Sequence, residues 1–308
     1  VTKYLGIMRM VILSRAAGLY STQRLLVAGL RRGHQIKVVD HLRCNMLIKE
    51  GRPKIFFENA PLDHVDALIP RIGASVTNRG AALIRQFESK GVYSATSSDA
   101  LLRARDKLRS LQLLAQARLQ IPKTVFVNAL EDLPKTLDWL GGTPVVIKLL
   151  ESTHGVGVIL SESPQNAISV IETLTKTNER IIIQEFIKEA KGGDIRAFVV
   201  GNEVVASMHR QAAKGEFRSN MHRGATAEPI QLTETERIMV LKATEVMGLS
   251  IAGVDFLRSN RGPLLLEVNA SPGLEGIETT TKINIANLII KQVERSARYH
   301  KKQSQTKA

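Results

Sequence analysis

The stretch Gly253-Val-Asp-Phe-Leu-Arg-Ser-Asn-Arg-Gly-Pro-Leu-Leu-Leu-Glu-Val-Asn-Ala-Ser-Pro-Gly273 constrains this chain most. Its pattern predicts a β-hairpin: one strand ending near Leu257, a turn over Ser259 to Gly262, and a return strand from Leu264 to Val268. The return strand is apolar except at Glu267, and Asn269 follows two residues later. Strand side chains alternate faces, so Glu267 and Asn269 share one face, which Asp255 on the partner strand can also reach. Two carboxylates and an amide oxygen are hard ligands of the kind Mg²⁺ prefers. An acid inside an apolar strand is costly unless paired or bound to a metal. The alternative reading of Glu267 is a pair with a buried arginine.

Charge sets the class of partner. Forty-three basic against 29 acidic residues leave +14, which favours phosphates, nucleic acid or an acidic protein tail. Aromatic residues are only 4%, which argues against base stacking on single strands. The lone Cys44 excludes an intramolecular disulfide and fits a reducing cytoplasm; it reads as a packed, structural thiol. No apolar run approaches the roughly 20 residues of a membrane helix. Arg9 interrupts the apolar run after Lys3, so Met10 to Leu13 reads as a buried strand rather than a signal segment, with Val1 to Ile7 ahead of the fold.

The chain opens β-α-β: Met10 to Leu13, a helix over about Thr22 to Arg32, then Ile36 to Asp40. Its first loop lacks G-x-G-x-x-G, so it is no dinucleotide fingerprint. A strand at Ala67 to Pro70 and a helix over Asn78 to Lys90 complete a small α/β unit. Ser98 and Asp106 are candidate caps of two successive helices, the second starting at Lys107. Residues 124–187 read as a compact α+β unit. A hairpin around Gly201-Asn202, a basic loop from Ala212 to Ala227 and a helix capped by Thr233 and Glu236 lead to the acidic hairpin. The predicted units are 8–105, 106–190 and 191–299, with 300–308 a disordered basic tail. No internal repeat is visible.

Several residues carry chemistry. Lys148 lies inside the apolar strand Val145 to Leu150, which calls for an anionic partner, a phosphate or an acidic side chain. Gly155 and Gly157 follow, where backbone N–H groups could wrap a phosphate, although such pairs are often plain turns. Gln184-Glu-Phe-Ile187 ends a strand whose backbone could meet an adenine edge, unless it is only a strand terminus. Asp194 and Arg196 share a strand face, as a salt bridge would. Arg218 and Asn220, in the basic loop, could face the metal site; the bland reading is a solvated loop. An arginine there could stabilise charge on a phosphoryl or acyl group, an effect of roughly 3 kcal/mol.

Together, Lys148, Gly155/Gly157, Glu185-Phe186, Asp194, Arg218-Ser219-Asn220, Asp255 and Glu267-x-Asn269 resemble the ATP-grasp superfamily in order and spacing. Ala104-Arg-Asp-Lys-Leu-Arg-Ser110, Gly215-Glu-Phe-Arg-Ser-Asn-Met-His-Arg-Gly224 and Glu267-Val-Asn-Ala-Ser-Pro-Gly-Leu-Glu-Gly276 are similar to the RimK branch, which ligates glutamate to the C-terminal tail of the sixth small-subunit ribosomal protein. The resemblance covers about residues 8 to 295. It implies a small N-terminal α/β pre-ATP-grasp domain followed by a two-lobed ATP-grasp fold. Lys148 and Lys107 would hold ATP phosphates. Glu185, Phe186 and Asp194 would hold adenine and ribose. Arg218, Ser219 and Asn220 would lie at the transferring phosphate, with Arg218 catalytic. Asp255, Glu267 and Asn269 would hold two Mg²⁺, or Mn²⁺. Gly224-Ala225 departs from an expected Gly-Gly on the substrate side.

The implied activity is an ATP-dependent carboxylate–amine ligase that uses L-glutamate and an acidic ribosomal-protein tail. It would work through an acyl-phosphate, in the cytoplasm, as a homo-oligomer for which the family suggests a tetramer. Two rivals remain: a related ligase acting on a carrier protein in lysine or arginine biosynthesis, and a basic nucleic-acid-binding protein. The second predicts ATP-independent, steeply salt-dependent binding.

Overall fold

The structure is a computed structural model that describes residues 6–128, 130, 132–151, 157–219 and 224–306. The N-terminal unit is built on β1 (Arg9–Leu13), α1 (Tyr20–Arg31), β2 (Gln35–Val39), β3 (Cys44–Leu47), β4 (Lys54–Phe57), β5 (Ala60–Pro61), β6 (Ala67–Pro70), α2 (Thr77–Glu88) and β7 (Tyr93–Ser94). Strands β2-β1-β6-β7 form a parallel sheet, so both faces need covering and β1 is almost wholly apolar. The parallel crossovers bring the C-terminal ends of β2, β1 and β6 to one edge of this sheet. Ligands of open α/β sheets commonly sit at such an edge. The small antiparallel sheet β3-β4-β5 is additional to the predicted elements. Its strands are short and mixed in polarity, and most of β3 is exposed, so no clear period marks them. Cys44 is half-buried there and burial pushes its thiol up to about 11, keeping it protonated.

Helices α3 (Ser98–Arg105) and α4 (Lys107–Gln116) connect to the next unit. Asp106 caps α4 by accepting from the Arg109 N–H at 2.9 Å. Ser97 caps α3, accepting from the Ala100 N–H at 3.1 Å; the expected cap Ser98 lies one residue inside the helix and donates its hydroxyl to Glu88. Two adjacent serines leave the sequence degenerate, and the Glu88 acceptor decides between them.

The central unit comprises β8 (Thr124–Phe126), α5 (Leu133–Leu140), β9 (Val145–Leu149), β10 (Val158–Ser161), α6 (Pro164–Lys176) and β11 (Ile181–Glu185), with the antiparallel strand order β10-β9-β11-β8. Helices α5 and α6 bury Leu137, Leu140, Ala167 and Ile171 in a core shared with Val145, Ile147, Ile181 and Ile183.

The C-terminal unit holds β12 (Gly193–Val200), β13 (Glu203–Gln211), β14 (Thr226–Pro229), α7 (Glu234–Met247), β15 (Ile251–Ser259), β16 (Gly262–Asn269), α8 (Glu275–Thr281) and α9 (Ile285–Thr306). Its sheet runs β14-β13-β12-β15-β16, antiparallel throughout. Strand β14 occupies the end of the segment expected to be loop. Thr233 and Glu236 form the expected capping box of α7. The C-terminal tail corrects a prediction: α9 continues through Thr306 where a disordered tail from 300 was expected. Ile285, Ile289 and Val293 anchor α9 in the core, and the following Lys, Arg and Gln residues include no Gly or Pro, so a nucleated helix propagates. Among the described residues, no helix is long and apolar enough to cross a membrane.

Candidate active site

The hairpin β15–β16 forms as its alternation predicts, with one added feature. Asp255 lies directly opposite Glu267 and Gly253 opposite Asn269, but Phe256 pairs with Leu265, leaving Leu266 as a bulge. The bulge lets Leu264, Leu265 and Val268 face the core while Glu267 faces outward. Asp255 and Glu267 therefore share one face of the sheet.

That face carries a diagonal of charges across four strands. Arg210 on β13 lies opposite Asp194 on β12 and grips it twice, Nε–Oδ1 at 2.7 Å and Nη2–Oδ2 at 2.5 Å. Arg196 on β12 lies opposite Asp255 on β15 and grips it likewise at 2.7 and 2.5 Å. Arg210 also reaches Asp255 at 3.0 Å. Asp194 and Arg196 thus pair with different partners across the sheet, not with each other. Burial alone would raise the Asp255 carboxyl, but the two guanidinium groups outweigh it and hold it well below the usual carboxylate range.

Glu267 is different. Among the described residues its one ion-pair contact is with Arg196, at 3.8 Å, and 53% of its side chain is open to solvent. Desolvation near the sheet and the charge of Asp255 raise its carboxyl, against the pull of Arg196 and Lys148. With half the side chain in solvent, the repulsion from Asp255 is the more durable part of that push. The buried arginine pairing considered for Glu267 therefore falls to Asp255, and Glu267 stands open.

This donor set suits a divalent cation. An ionised carboxylate offers about four lone-pair sites, and three guanidinium N–H contacts on Asp255 leave one. Among the described residues, the Glu267 oxygens have no hydrogen-bond partner and the Asn269 Oδ1 accepts only the Ser271 N–H, at 3.0 Å. Gly253 makes the following loop possible: a Cβ there would lie 2.9 Å from the Cβ of Pro272, which folds back over the hairpin.

Across the cleft, Lys148 sits inside β9 as predicted. Its ammonium donates to Gln184 Oε1 at 2.6 Å, and the Gln184 amide donates on to Thr124. Burial lowers the Lys148 ammonium to about 8, partly offset by Glu267. Lys107, at the start of α4, donates to the carbonyls of Leu149 and Leu150 at 3.2 and 2.7 Å, and burial lowers it too. Both ammonium groups feel the field of Glu267, so the two lysines and the open carboxylate face one space.

Glu185 ends β11, and its carboxylate accepts from the Lys123 N–H at 2.7 Å and from Arg261 at 2.5 Å. Arg261 lies in the β15–β16 turn, so this pair ties the central sheet to the hairpin tip. Phe186 follows, half-buried, at the strand end. Asp194 is engaged by Arg210 and by the Ser219 hydroxyl. Arg218 pairs with Glu216 at 2.8 Å and donates to the Val158 carbonyl at 3.3 Å, which joins the basic loop to the first residue of β10. The Arg218 guanidinium, with the N–H groups of Phe217 and Arg218, holds the Glu216 carboxyl down to about 2. Asn220 and Gly155 lie outside the described residues. Arg210 escaped the sequence reading: the Gly201-Asn202 turn alone would set His209 opposite Asp194, and a bulge at Val205 shifts the register by one residue to Arg210.

Comparison with known proteins identifies the family. A family model described as the RimK-like ATP-grasp domain matches residues 104–293, and one described as the RimK PreATP-grasp domain matches residues 8–101. The chain belongs to the RimK-like ATP-grasp family. It is an ATP-dependent ligase with a pre-ATP-grasp domain followed by an ATP-grasp domain. A curated relative from Pseudomonas putida F1, named a probable alpha-L-glutamate ligase, is 54% identical over 94% of this chain and 96% of its own length. One of the same name from Azotobacter vinelandii DJ is 53% identical over 95% and 97%. Among solved structures, the ATP-grasp ligase PsnB, complexed with a precursor variant, Mg and ADP, superposes with a TM-score of 0.73 at 19% identity, covering 94% of this chain and 98% of that one. D-alanine–D-alanine ligase from Bacillus anthracis, complexed with ATP, gives 0.69 at 19%, covering 97% and 99%. At such identities these two likenesses speak to the fold.

Proposed function

We propose that this RimK-family enzyme adds L-glutamate to the C-terminal carboxylate of an acidic protein tail, that of the sixth small-subunit ribosomal protein. The observation that carries the reading is the open Glu267 carboxylate within the field of the half-buried Lys148 and Lys107 ammonium groups. The names of the relatives support the amino acid, and the net charge of +14 supports an acceptor that is acidic and grows more so with each addition.

In this reading Lys148 and Lys107 bind the phosphates of ATP, and the strand end at Glu185-Phe186 receives the adenine. Asp255, Glu267 and Asn269 hold Mg²⁺, which neutralises phosphate charge when bound. Arg196 and Arg210 keep Asp255 ionised and fixed in direction. The acceptor carboxylate oxygen bonds to the γ-phosphorus and ADP leaves. The glutamate amine, having lost its extra proton, bonds to the acyl carbon, and inorganic phosphate leaves with the peptide bond formed. Arg218 stabilises the charge on the transferring phosphoryl group, once turned from Glu216. Its contact with Val158 couples that turn to β10, the strand after the glycine loop, whose closure would keep water from the acyl-phosphate.

The test is incubation with ATP, Mg²⁺, L-glutamate and the tail peptide, read by mass spectrometry. Peaks spaced by one glutamyl residue are expected. Addition of hydroxylamine in place of glutamate should give a hydroxamate. Absence of both from protein that binds ATP would sink the proposal. A carrier-protein peptide accepted in preference to the ribosomal tail would replace the acceptor and leave the chemistry.

A further inference from the structure

The N-terminal sheet presents a second cluster of charge that the phosphate and metal residues do not use. Arg71 follows β6 and Arg15 follows β1, both at the C-terminal edge of the parallel sheet. Arg105 ends α3. The Arg105 and Arg15 guanidinium groups reach the segment that Arg71 opens, Arg71-Ile72-Gly73, and Arg105 neighbours the Arg71 guanidinium. Arg105 donates Nη2 to the Ile72 carbonyl at 2.6 Å. The Arg15 guanidinium lies over Gly73, where a Cβ would come within 3.3 Å of its Nη2. Arg71 donates to the Pro272 carbonyl at 2.7 Å, which binds the cluster to the loop after Asn269.

Among the described residues, none of these three arginines has a carboxylate at ion-pair distance, whereas every buried arginine of the sheet ladder has one. The Arg105 Nε is buried without a partner. Beside Arg15 lies the buried His41, both of whose ring nitrogens also lack partners. Like charges brought together, two of them half-buried, are costly unless an anion completes them. Burial, together with the neighbouring Arg105, lowers Arg71 to about 10, in keeping with that cost. Arg105 feels the field of Glu267, and Arg71 binds the loop that follows Asn269, so these two arginines border the acidic hairpin.

We infer that Arg105, Arg71 and Arg15 form the docking site of the incoming amino acid, a dicarboxylate, and so determine the enzyme's preference for it. This rests on the ligase reading and assigns its amine substrate a place. The attacking amine must reach an acyl carbon beside Glu267. The carboxylate on the same carbon as the amine therefore goes to Arg105 and Arg71, the pair nearest Glu267 and Pro272. The side-chain carboxylate reaches outward to Arg15, on the exposed rim next to His41. The Arg105 Nε and the forked Arg71 group supply the donors that a carboxylate takes two at a time.

The test is steady-state kinetics with the full chain, ATP, Mg²⁺ and an acidic tail peptide, using L-glutamate, L-glutamine or hydroxylamine as the amine. Arg15→Met should raise the KM for L-glutamate by about tenfold or more, as loss of a charge-assisted hydrogen bond does. It should also shrink the preference for glutamate over glutamine, while the KM for ATP and trapping by hydroxylamine, which has no carboxylate, hold. Arg105→Lys, which keeps the charge and loses the fork, should raise the KM for glutamate and glutamine alike. If Arg105→Lys fails to bind ATP it has lost its fold, and Arg15→Met, at an exposed position, decides alone. An unchanged KM and preference in Arg15→Met, with native ligation intact, overturns the inference and spares the ligase reading. Loss of hydroxylamine trapping in step with ligation also overturns it, because the cluster would then serve the acceptor. A native enzyme that forms hydroxamate but transfers no dicarboxylic amino acid overturns the inference and the glutamate assignment, and leaves the acyl-phosphate chemistry.

Discussion

Asp255 and Glu267 face each other across β15 and β16, yet two arginines hold Asp255, while among the described residues only Arg196 approaches Glu267, at 3.8 Å. The asymmetry divides their work. Asp255 is a fixed, ionised anchor, and Glu267 is the open ligand beside it. Glu267→Gln should therefore reduce ADP formation by on the order of a hundredfold, the scale of losing one precisely aimed electrostatic group. It should not reduce stability, because it removes a like charge facing Asp255. Paired measurements of ADP release and the thermal midpoint check both halves, and full-speed turnover would refute the assignment.

Arg210 serves two buried carboxylates, Asp194 and Asp255. Arg210→Met would leave Asp194 with no arginine and Asp255 with Arg196 alone. Breaking a buried pair from one side costs about 3–5 kcal/mol, since the remaining charge stays desolvated. Urea unfolding should show a loss of that size, with activity falling at temperatures where the variant is still folded. A loss under about 1 kcal/mol, the scale of surface pairs, would mean that the ladder is not desolvated in solution.

The hairpin was legible because an acid stands alone in an apolar strand and period two fixes its face. The place of Lys148 inside its strand was legible by the same logic inverted, although the partner it meets there is the neutral Gln184 amide. The partners that set the site's electrostatics were not. Arg196 and Arg210 look like ordinary polar positions of alternating strands until the register brings each opposite an aspartate. The bulge at Leu266 left no mark either, since three consecutive leucines hide which one is extra. The arginines at 15, 71 and 105 are far apart in sequence and meet only through the parallel crossovers and the end of α3. The tail misled because charge without apolar residues reads as disorder, whereas α9 is nucleated within the core and runs on.

Gly253 should be sensitive out of proportion to its size. A methyl group there would press on the Pro272 Cβ at 2.9 Å and shift the loop whose carbonyl receives Arg71. Gly253→Ala should cost about 1–3 kcal/mol in stability, as overpacking does. Its kcat/KM should fall by at least tenfold at temperatures where the fold is intact, because small misplacements of catalytic geometry have large kinetic effects. Thr233→Ala, which removes a helix cap remote from the cleft, serves as the control. It should cost about 1 kcal/mol and leave turnover unchanged at the same temperature. Equal kinetic losses in the two variants would show that stability alone is being read.

Lys148 gives the site a pH limit with a definite sign. Burial lowers its ammonium to about 8, against an unfolded value near 10.4. Below pH 8 the folded protein bears a buried charge, which disfavours folding; that cost is relieved as pH rises from 8 towards the unfolded value. Nucleotide binding runs the other way, because phosphates need the charged form and raise its pKa when they bind. ATP affinity should therefore be flat below pH 8 and fall as pH rises above it, by up to tenfold per unit where Lys148 alone titrates. Lys148→Arg keeps its charge throughout this range and should flatten the profile, even where its different shape weakens binding overall. Calorimetric titration with ADP or a non-hydrolysable ATP analogue from pH 7 to 9.5 measures the slope directly. A native profile as flat as that of the arginine variant would mean that Lys148 does not hold the phosphates.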